Sequence, residues 1–460
     1  MMGSYLLRGT MLAAALIASP VGAQSQPSAE LQAALASLSI EQQAFIEDEE
    51  NLAPFGMSQE KLYILLEGRD ANTVSATIAA MMDTLDSARY QPEGEAVDER
   101  GPSDLDPAGD MAFVPLNTLA GRFNGSTVLQ PPIFDENVRE PGPVSLHRYM
   151  YETDGIPTFG NLPVAVRVED LTAGGVEAAF VGVPMSLSSG WRDAQNAPDL
   201  LRTMKGIGGY DIEAGLDPLV ELTVVDYGDL SVNRMAAELS VEHVRMMIGD
   251  MVGAGVVPMI VGGDHAVMYP TVAAMADRFG AGNVAVVHLD AHANVEQELP
   301  HTISDEQSVY RLIEDGLLEG GNLTQIGIRG TVSGGETINW LRDQGAHLHP
   351  MSEISRDGWD TVSESAMRTL GRGPEKVFVS FDMSVLDPAF ASGAGRPVSG
   401  GLTMREILPM IREICTTKEV VGFEILDVAP FLDLSYATAL NANQIMNECL
   451  IGMALRKKGG

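Results

Sequence analysis

Apolar residues change their spacing twice along this chain. Over residues 28–90 they recur at helical intervals: Leu31, Leu35 and Leu38, then Phe45 and Ile46, then Leu62, Leu65 and Leu66, then Ile78, Met81, Met82 and Leu85. That spacing predicts helices whose apolar stripe faces a core or a partner. Residues 91–145 lose the pattern. Pro92, Pro102, Pro107, Pro131, Pro132, Pro141 and Pro143 sit there among Gly and Asp. Proline supplies no backbone donor and interrupts both helix and strand, so this stretch reads as a linker or an irregular arm. From about residue 166 onward short apolar runs alternate with helical stretches. The runs at 178–183, 222–226, 257–261, 284–290, 325–328, 377–382 and 420–425 read as buried strands. Continuous apolar strands separated by helices predict an α/β fold, a parallel sheet covered on both faces.

The first residues stand apart from this scheme. Arg8 precedes an apolar run at 11–18, and Ser19, Pro20, Val21, Gly22 and Ala23 follow. Basic, then apolar, then small is the order of a secretory signal peptide, with cleavage expected near Ala23. Export, to a periplasm or to the medium, is the corresponding expectation for location. No later segment holds about 18 uninterrupted apolar residues, so no membrane span is predicted.

Composition narrows the picture further. The chain has 460 residues, 45% of them hydrophobic, enough for a large core. Its 63 acidic residues against 29 Lys and Arg leave a net charge of −34. Such a chain repels nucleic acid, which excludes that class of partner. The two cysteines, Cys415 and Cys449, exclude a disulfide-rich scaffold and a Cys-rich zinc module. They either form one disulfide or remain two buried thiols.

The chemistry gathers where strands end. One run leads into Asp264 and His265, another into Asp290, His292 and Asn294, and a third into Asp382 and Ser384. In a parallel α/β sheet, ligands bind outside the carboxyl ends of the strands, so these residues converge. Alternate residues of an extended segment share a face, which would aim Asp290, His292 and Asn294 at one point. Carboxylate oxygen with imidazole nitrogen suits a divalent metal such as manganese. Taken one at a time, such an Asp is usually a turn former and such a His a structural residue.

As a set these motifs resemble the arginase/agmatinase (ureohydrolase) family, its agmatinase-like branch in particular. The resemblance rests on Gly262-Gly263-Asp264-His265, Asp290-Ala291-His292-Ala293, Ser380-Phe381-Asp382 and Leu386-Asp387-Pro388. Gly155-Ile156-Pro157, Val225-Asp226-Tyr227, Ile326-Gly327-Ile328-Arg329 and Gly400-Gly401-Leu402-Thr403 add to it. It covers roughly residues 150–455. It implies a three-layer α-β-α fold with an eight-stranded parallel sheet, in trimers or hexamers. Two bridged manganese ions would promote attack of hydroxide on a guanidinium carbon, releasing urea. The domain scheme becomes a signal peptide at 1–23, a helical then irregular extension at 24–150 and the ureohydrolase domain at 151–460.

Carried over by motif, the metal ligands are His265, Asp290, His292, Asn294, Asp382 and Ser384. Asn294 and Ser384 stand where the family has aspartates. Two carboxylates balance one divalent cation and leave a surplus of about +2 against two, which is costly in a dry site. One or two manganese ions are therefore expected, with the second site in question. Asp427 stands in place of the family's guanidinium-binding Glu, one methylene shorter. The proton-shuttling His is replaced by Asp305, with His301 four residues upstream. Arg396 occupies a place usually held by Thr, and there a cation would favour an anion over a guanidinium; its other reading is a solvated loop residue.

Two functions follow. The first is an exported, metal-dependent hydrolase of C–N bonds in guanidino or amidino compounds, with Asp305 or His301 moving protons and Asp427 orienting the substrate. The second is an inactive ureohydrolase-fold subunit that binds or builds.

Overall fold

A computed structural model describes residues 27–52, 55, 57–88, 140–145, 156–187, 193–233, 237–297, 304–331 and 335–459. The segment read as a signal peptide, His301, and most of the proline-rich stretch lie outside them. The chain divides into two compact units, Met1–Arg89 and Tyr90–Gly460.

The first unit is helical, with helices at Ala29–Ala36, Ile40–Glu47, Glu49–Leu52, Gln59–Leu66 and Ala71–Ala88. Serines start three of them: Ser28, Ser39 and Ser58 each accept a hydrogen bond from a first-turn amide, satisfying donors that the helix leaves open. At Ser39 the return bond from Gln42 completes a capping box. Leu31, Leu38, Phe45, Ile46, Leu62, Leu66, Ile78 and Met81 form its buried core. Leu65, expected in that stripe, is 49% exposed.

The second unit is an eight-stranded sheet. Its strands are β1 (Ala178–Val183), β2 (Val224–Asp229), β3 (Val257–Gly262), β4 (Val284–Leu289), β5 (Leu323–Ile326), β6 (His347–His349), β7 (Lys376–Asp382) and β8 (Glu419–Leu426). The spatial order is β2-β1-β3-β8-β7-β4-β5-β6, and every pairing is parallel. Seven strands overlap the apolar runs, β5 by two residues and β2 by three; β6, a three-residue edge strand, has none. Successive strand residues point to opposite faces. Phe180, Met259, Val287, Val379 and Phe423 pack with helices Ala197–Thr203, Trp359–Leu370, Met404–Thr417 and Ala437–Gly459. Ala179, Ile260, Val286, Phe378 and Val421 pack with Ala237–Gly253, Met268–Phe279, Ser308–Glu314 and Gly335–Asp343. The result is three layers, helix on sheet on helix. Each fully buried Val, Leu, Ile or Phe contributes about 1.5–3 kcal/mol. Among the described residues no helix is long and apolar enough to cross a membrane.

Cys415, on Met404–Thr417, and Cys449, on Ala437–Gly459, are joined in a disulfide and fully buried. Val144 pairs with Val164 through two backbone bonds of 2.8 Å, and Gly142 donates to Asp170. Residues 140–145 of the proline-rich stretch are thereby laid along the sheet domain.

One carboxyl lies deep in the sheet. Glu424, in the central strand β8, has no exposure and accepts a hydrogen bond from Thr271 Oγ1 at 2.7 Å. Burial pushes its pKa up to about 7. A carboxyl that binds its proton more tightly when folded adds stability at low pH. That contribution is lost as pH rises from about 4.5 through about 7. Glu424→Gln is therefore expected to flatten the pH dependence of unfolding between pH 5 and pH 8, an effect on the order of 3 kcal/mol. Urea denaturation of both proteins at the two pH values checks this; parallel losses would show that Glu424 carries none of it.

Candidate metal centre

The site lies at the carboxyl ends of β3, β4, β7 and β8. β3 runs into Gly263 and Asp264. A side chain on Gly263 would collide with the Met185 carbonyl oxygen, so only glycine lets these two chain segments meet. Asp264 accepts from Leu187 N at 2.6 Å and Ala266 N at 3.1 Å, starting the turn that presents His265. Arg329 holds the opposite rim, donating to carbonyls of Ser384, Val385 and Leu386 and of Val398.

Asp290 is the hub, 1% exposed. Its Oδ1 accepts from His292 N at 2.8 Å and Ser384 Oγ at 2.8 Å, and faces His292 Nδ1 at 3.1 Å. Its Oδ2 accepts from Asn294 Nδ2 at 2.6 Å and faces Nε2 of His265 at 3.3 Å and of His288 at 3.2 Å. Asp382 Oδ1 accepts from Ser384 N at 2.7 Å. The segment after β4 is not extended. Asp290 folds it by bonding the amide two residues on, and Asn294 has a left-handed φ of 54°. Convergence of Asp290, His292 and Asn294 thus comes from a side-chain-capped turn rather than from strand alternation.

His288 is the residue that sequence reasoning missed. It lies in β4, fully buried, two residues before Asp290 and so on its face. A lone polar residue inside an apolar run was the available signal. Gln325 Nε2 donates one hydrogen to Ala293 O at 3.0 Å and the other to His288 Nδ1 at 2.8 Å. The neutral ring then carries its proton on Nε2, directed at Asp290 and at His265 Nε2, 2.8 Å away. His265 in turn places Nδ1 2.9 Å from Ser308 Oγ.

These contacts set the charges. Burial alone would raise Asp290, but hydrogen bonds from His288 and His292 hold it well below the usual carboxylate range. Burial raises Asp382 well above that range, with the charges of Asp290 and Asp427 adding to it. Burial also lowers His265, which is neutral.

Arg396 is not a solvated loop residue. Its side chain is 15% exposed, with Nε 3.4 Å from Asp305 Oδ2 and Nη1 donating to Glu306 Oε1 at 3.0 Å. Nη2 donates to Asn294 Oδ1 at 3.3 Å, and its backbone N donates to Asp427 Oδ2 at 3.0 Å. Asp305 and Asp427 are both 4% exposed. All the described candidates thus belong to one hydrogen-bonded pocket.

A family model described as the arginase family matches residues 176–452, more than half of the chain. The chain belongs to the arginase family. This arginase-family chain is 33% identical to the mitochondrial agmatinase of Gallus gallus, over 64% of its own length and 85% of that protein. It is 30% identical to the guanidinobutyrase of Pseudomonas aeruginosa, over 69% and 97% respectively. In structure it is similar to proclavaminate amidino hydrolase from Streptomyces clavuligerus, with a TM-score of 0.61 and 27% identity, over 66% of this chain and 99% of that one.

The family implies manganese. Ligand atoms of His265, His288 and Asp290 lie within 4.8 Å of one another, and His292 and Asp382 join the same hub. The two central carboxylates balance one divalent cation. The donor set fits one such ion. Asn294 and Ser384 bring hydrogen-bond donors to Asp290 where the family has aspartates.

Proposed function

We propose that the chain is an agmatinase-like hydrolase of C–N bonds in guanidino or amidino compounds, dependent on one divalent cation and exported from the cytoplasm. The observation that carries this reading is Asp290, an ionised carboxylate buried at the sheet's carboxyl edge between His265, His292 and Asp382. These residues would hold the cation. Bound there, it would supply the charge that lowers the pKa of water toward neutrality. His288 holds Asp290 in place, its tautomer set by Gln325. Asp427, at the end of β8, is the acid for a cationic substrate. Asp305, beside the Arg396 guanidinium, is placed to carry a proton, with His301 as the alternative. Names of the relatives support guanidino compounds as the substrate class. The basic, apolar and small residues of 1–23 and the Cys415–Cys449 bridge support export, since disulfides persist in oxidising compartments. Family membership supports a homo-oligomer, a trimer or hexamer.

A second reading, an inactive binding or structural subunit, is favoured by one observation: Asn294 and Ser384 donate hydrogen bonds to Asp290. Urea release decides between them. Protein loaded with manganese is expected to release urea from at least one of agmatine, guanidinobutyrate and guanidinopropionate, and to stop when chelated. Tight manganese binding without urea from any of the three would favour the inactive subunit.

A further inference from the structure

We infer that Arg329 is a positioning residue for the metal centre, a single clamp that fixes the three chain segments carrying its candidate residues. The inference rests on the proposed metal dependence and adds the residue that sets its geometry.

Three of the sequence motifs supply no candidate ligand: Ile326-Gly327-Ile328-Arg329, Leu386-Asp387-Pro388 and Gly400-Gly401-Leu402-Thr403. They meet at Arg329, a half-buried residue just after β5. Its backbone N–H donates to Ala291 O at 2.9 Å, inside the turn that presents Asp290, His292 and Asn294. Its side chain reaches the second segment, the single helical turn Met383–Val385 after β7. Asp382 starts that turn by accepting from Ser384 N. The far end of a helical turn leaves carbonyls without partners. Arg329 supplies them: Nη2 donates to Ser384 O at 2.7 Å and Leu386 O at 3.2 Å, and Nη1 donates to Val385 O at 3.2 Å. The third segment is the loop that follows Arg396. There Nε donates to Val398 O and Ser399 O, each at 3.2 Å.

All three guanidinium nitrogens therefore bond carbonyl oxygens. A planar fork of N–H groups serves this many acceptors at once, and a single ammonium does not. The other two motifs keep the acceptors in reach. Asp387 Oδ2 accepts from Gly400 N at 2.8 Å and Gly401 N at 3.2 Å, while Asp387 N donates to Leu402 O at 2.8 Å. A side chain on Gly401 would lie 2.6 Å from Arg329 Nη2 and 2.5 Å from Asp387 N, so glycine there leaves room for the guanidinium.

Ser384 transmits the effect. Its N donates to Asp382 and its Oγ to Asp290, while its carbonyl is held by Arg329. A shift of this one residue moves contacts of both central carboxylates. Groups that hold metal ligands in place commonly govern metal affinity by about 10–100-fold.

The test is manganese affinity of full-length protein, read as free Mn(II) by electron paramagnetic resonance, with circular dichroism to confirm folding. Native protein is expected to bind manganese. Arg329→Lys keeps the charge and loses the fork; Gly401→Ala keeps the fork and displaces it. Each should weaken binding about 10–100-fold. The Cys415→Ala, Cys449→Ala variant is weakened where no site residue lies, and it should bind as native protein does. Native affinity in Arg329→Lys would overturn the positioning role while leaving metal dependence standing. An equal loss in the cysteine variant would assign the effect to stability alone and overturn it too. No manganese binding by native protein would remove the metal dependence itself and this inference with it. Hydrogen exchange on native protein needs no variant and decides the matter if the variants do not fold. Manganese is expected to slow exchange in peptides spanning 290–294, 383–387 and 398–402 together, although the last holds no candidate ligand. Protection of the first two without the third would overturn the clamp.

Discussion

Asp290→Ala is expected to lower folding stability by about 3–5 kcal/mol and to abolish the thermal stabilisation that manganese gives the native protein. The first effect comes from donors left without an acceptor. Asn294 Nδ2, Ser384 Oγ and His292 N all donate to this carboxylate in a dry pocket, and an unmet buried donor costs about 1–3 kcal/mol. The second comes from loss of the shared ligand. Because the Asp290 carboxyl lies well below its usual range, its contribution is present at neutral pH and lost as pH falls through the folded value. The gap between native and variant should therefore shrink in acid. Melting curves at neutral and acidic pH, with and without manganese, measure both effects. An equal rise in melting temperature on adding manganese to the variant would show that Asp290 is no ligand.

Removing the Cys415–Cys449 bridge should have an effect of similar size through the unfolded chain. The two cysteines are 34 residues apart, and closing a loop of that length lowers unfolded-state entropy by roughly 3–4 kcal/mol at 25 °C. For a domain of this size that corresponds to a fall of roughly 5 °C in melting temperature. The bridge ties Met404–Thr417 to Ala437–Gly459 where they cross most closely. A side chain on Gly452 would lie 2.7 Å from Cys415 Cβ and 2.7 Å from the Arg412 carbonyl oxygen. Melting of native protein and of a Cys415→Ala, Cys449→Ala variant, with and without reductant, checks this. Melting temperatures within a degree of each other would show that helix packing alone holds the pair together.

The sheet could be read from the chain because its strands are buried on both faces, and burial on both faces leaves continuous apolar runs. β6 escaped for the opposite reason. It is an edge strand of sequence His-Leu-His, with His347 exposed. In the helical unit Leu62 and Leu66 occupy one face, and Leu65, a quarter turn from Leu66, falls outside it. At the site, motif spacing located the clustered side chains but not the means of clustering, which depends on side-chain bonds to amides two residues on. Arg396 could not be placed from sequence, since its partners Asn294, Asp305 and Glu306 lie about ninety or more residues away along the chain.

The position of β8 bears on how the protein is made. This strand lies between β3 and β7 at the middle of the sheet, yet residues Glu419–Leu426 follow all seven other strands along the chain. Before they emerge from the ribosome, β3 and β7 expose facing strand edges, and Asp427 is missing from the pocket. Parallel pairings between such distant segments form slowly. The nascent chain therefore carries open, aggregation-prone edges until the eighth strand of the sheet arrives, and until then it depends on chaperones.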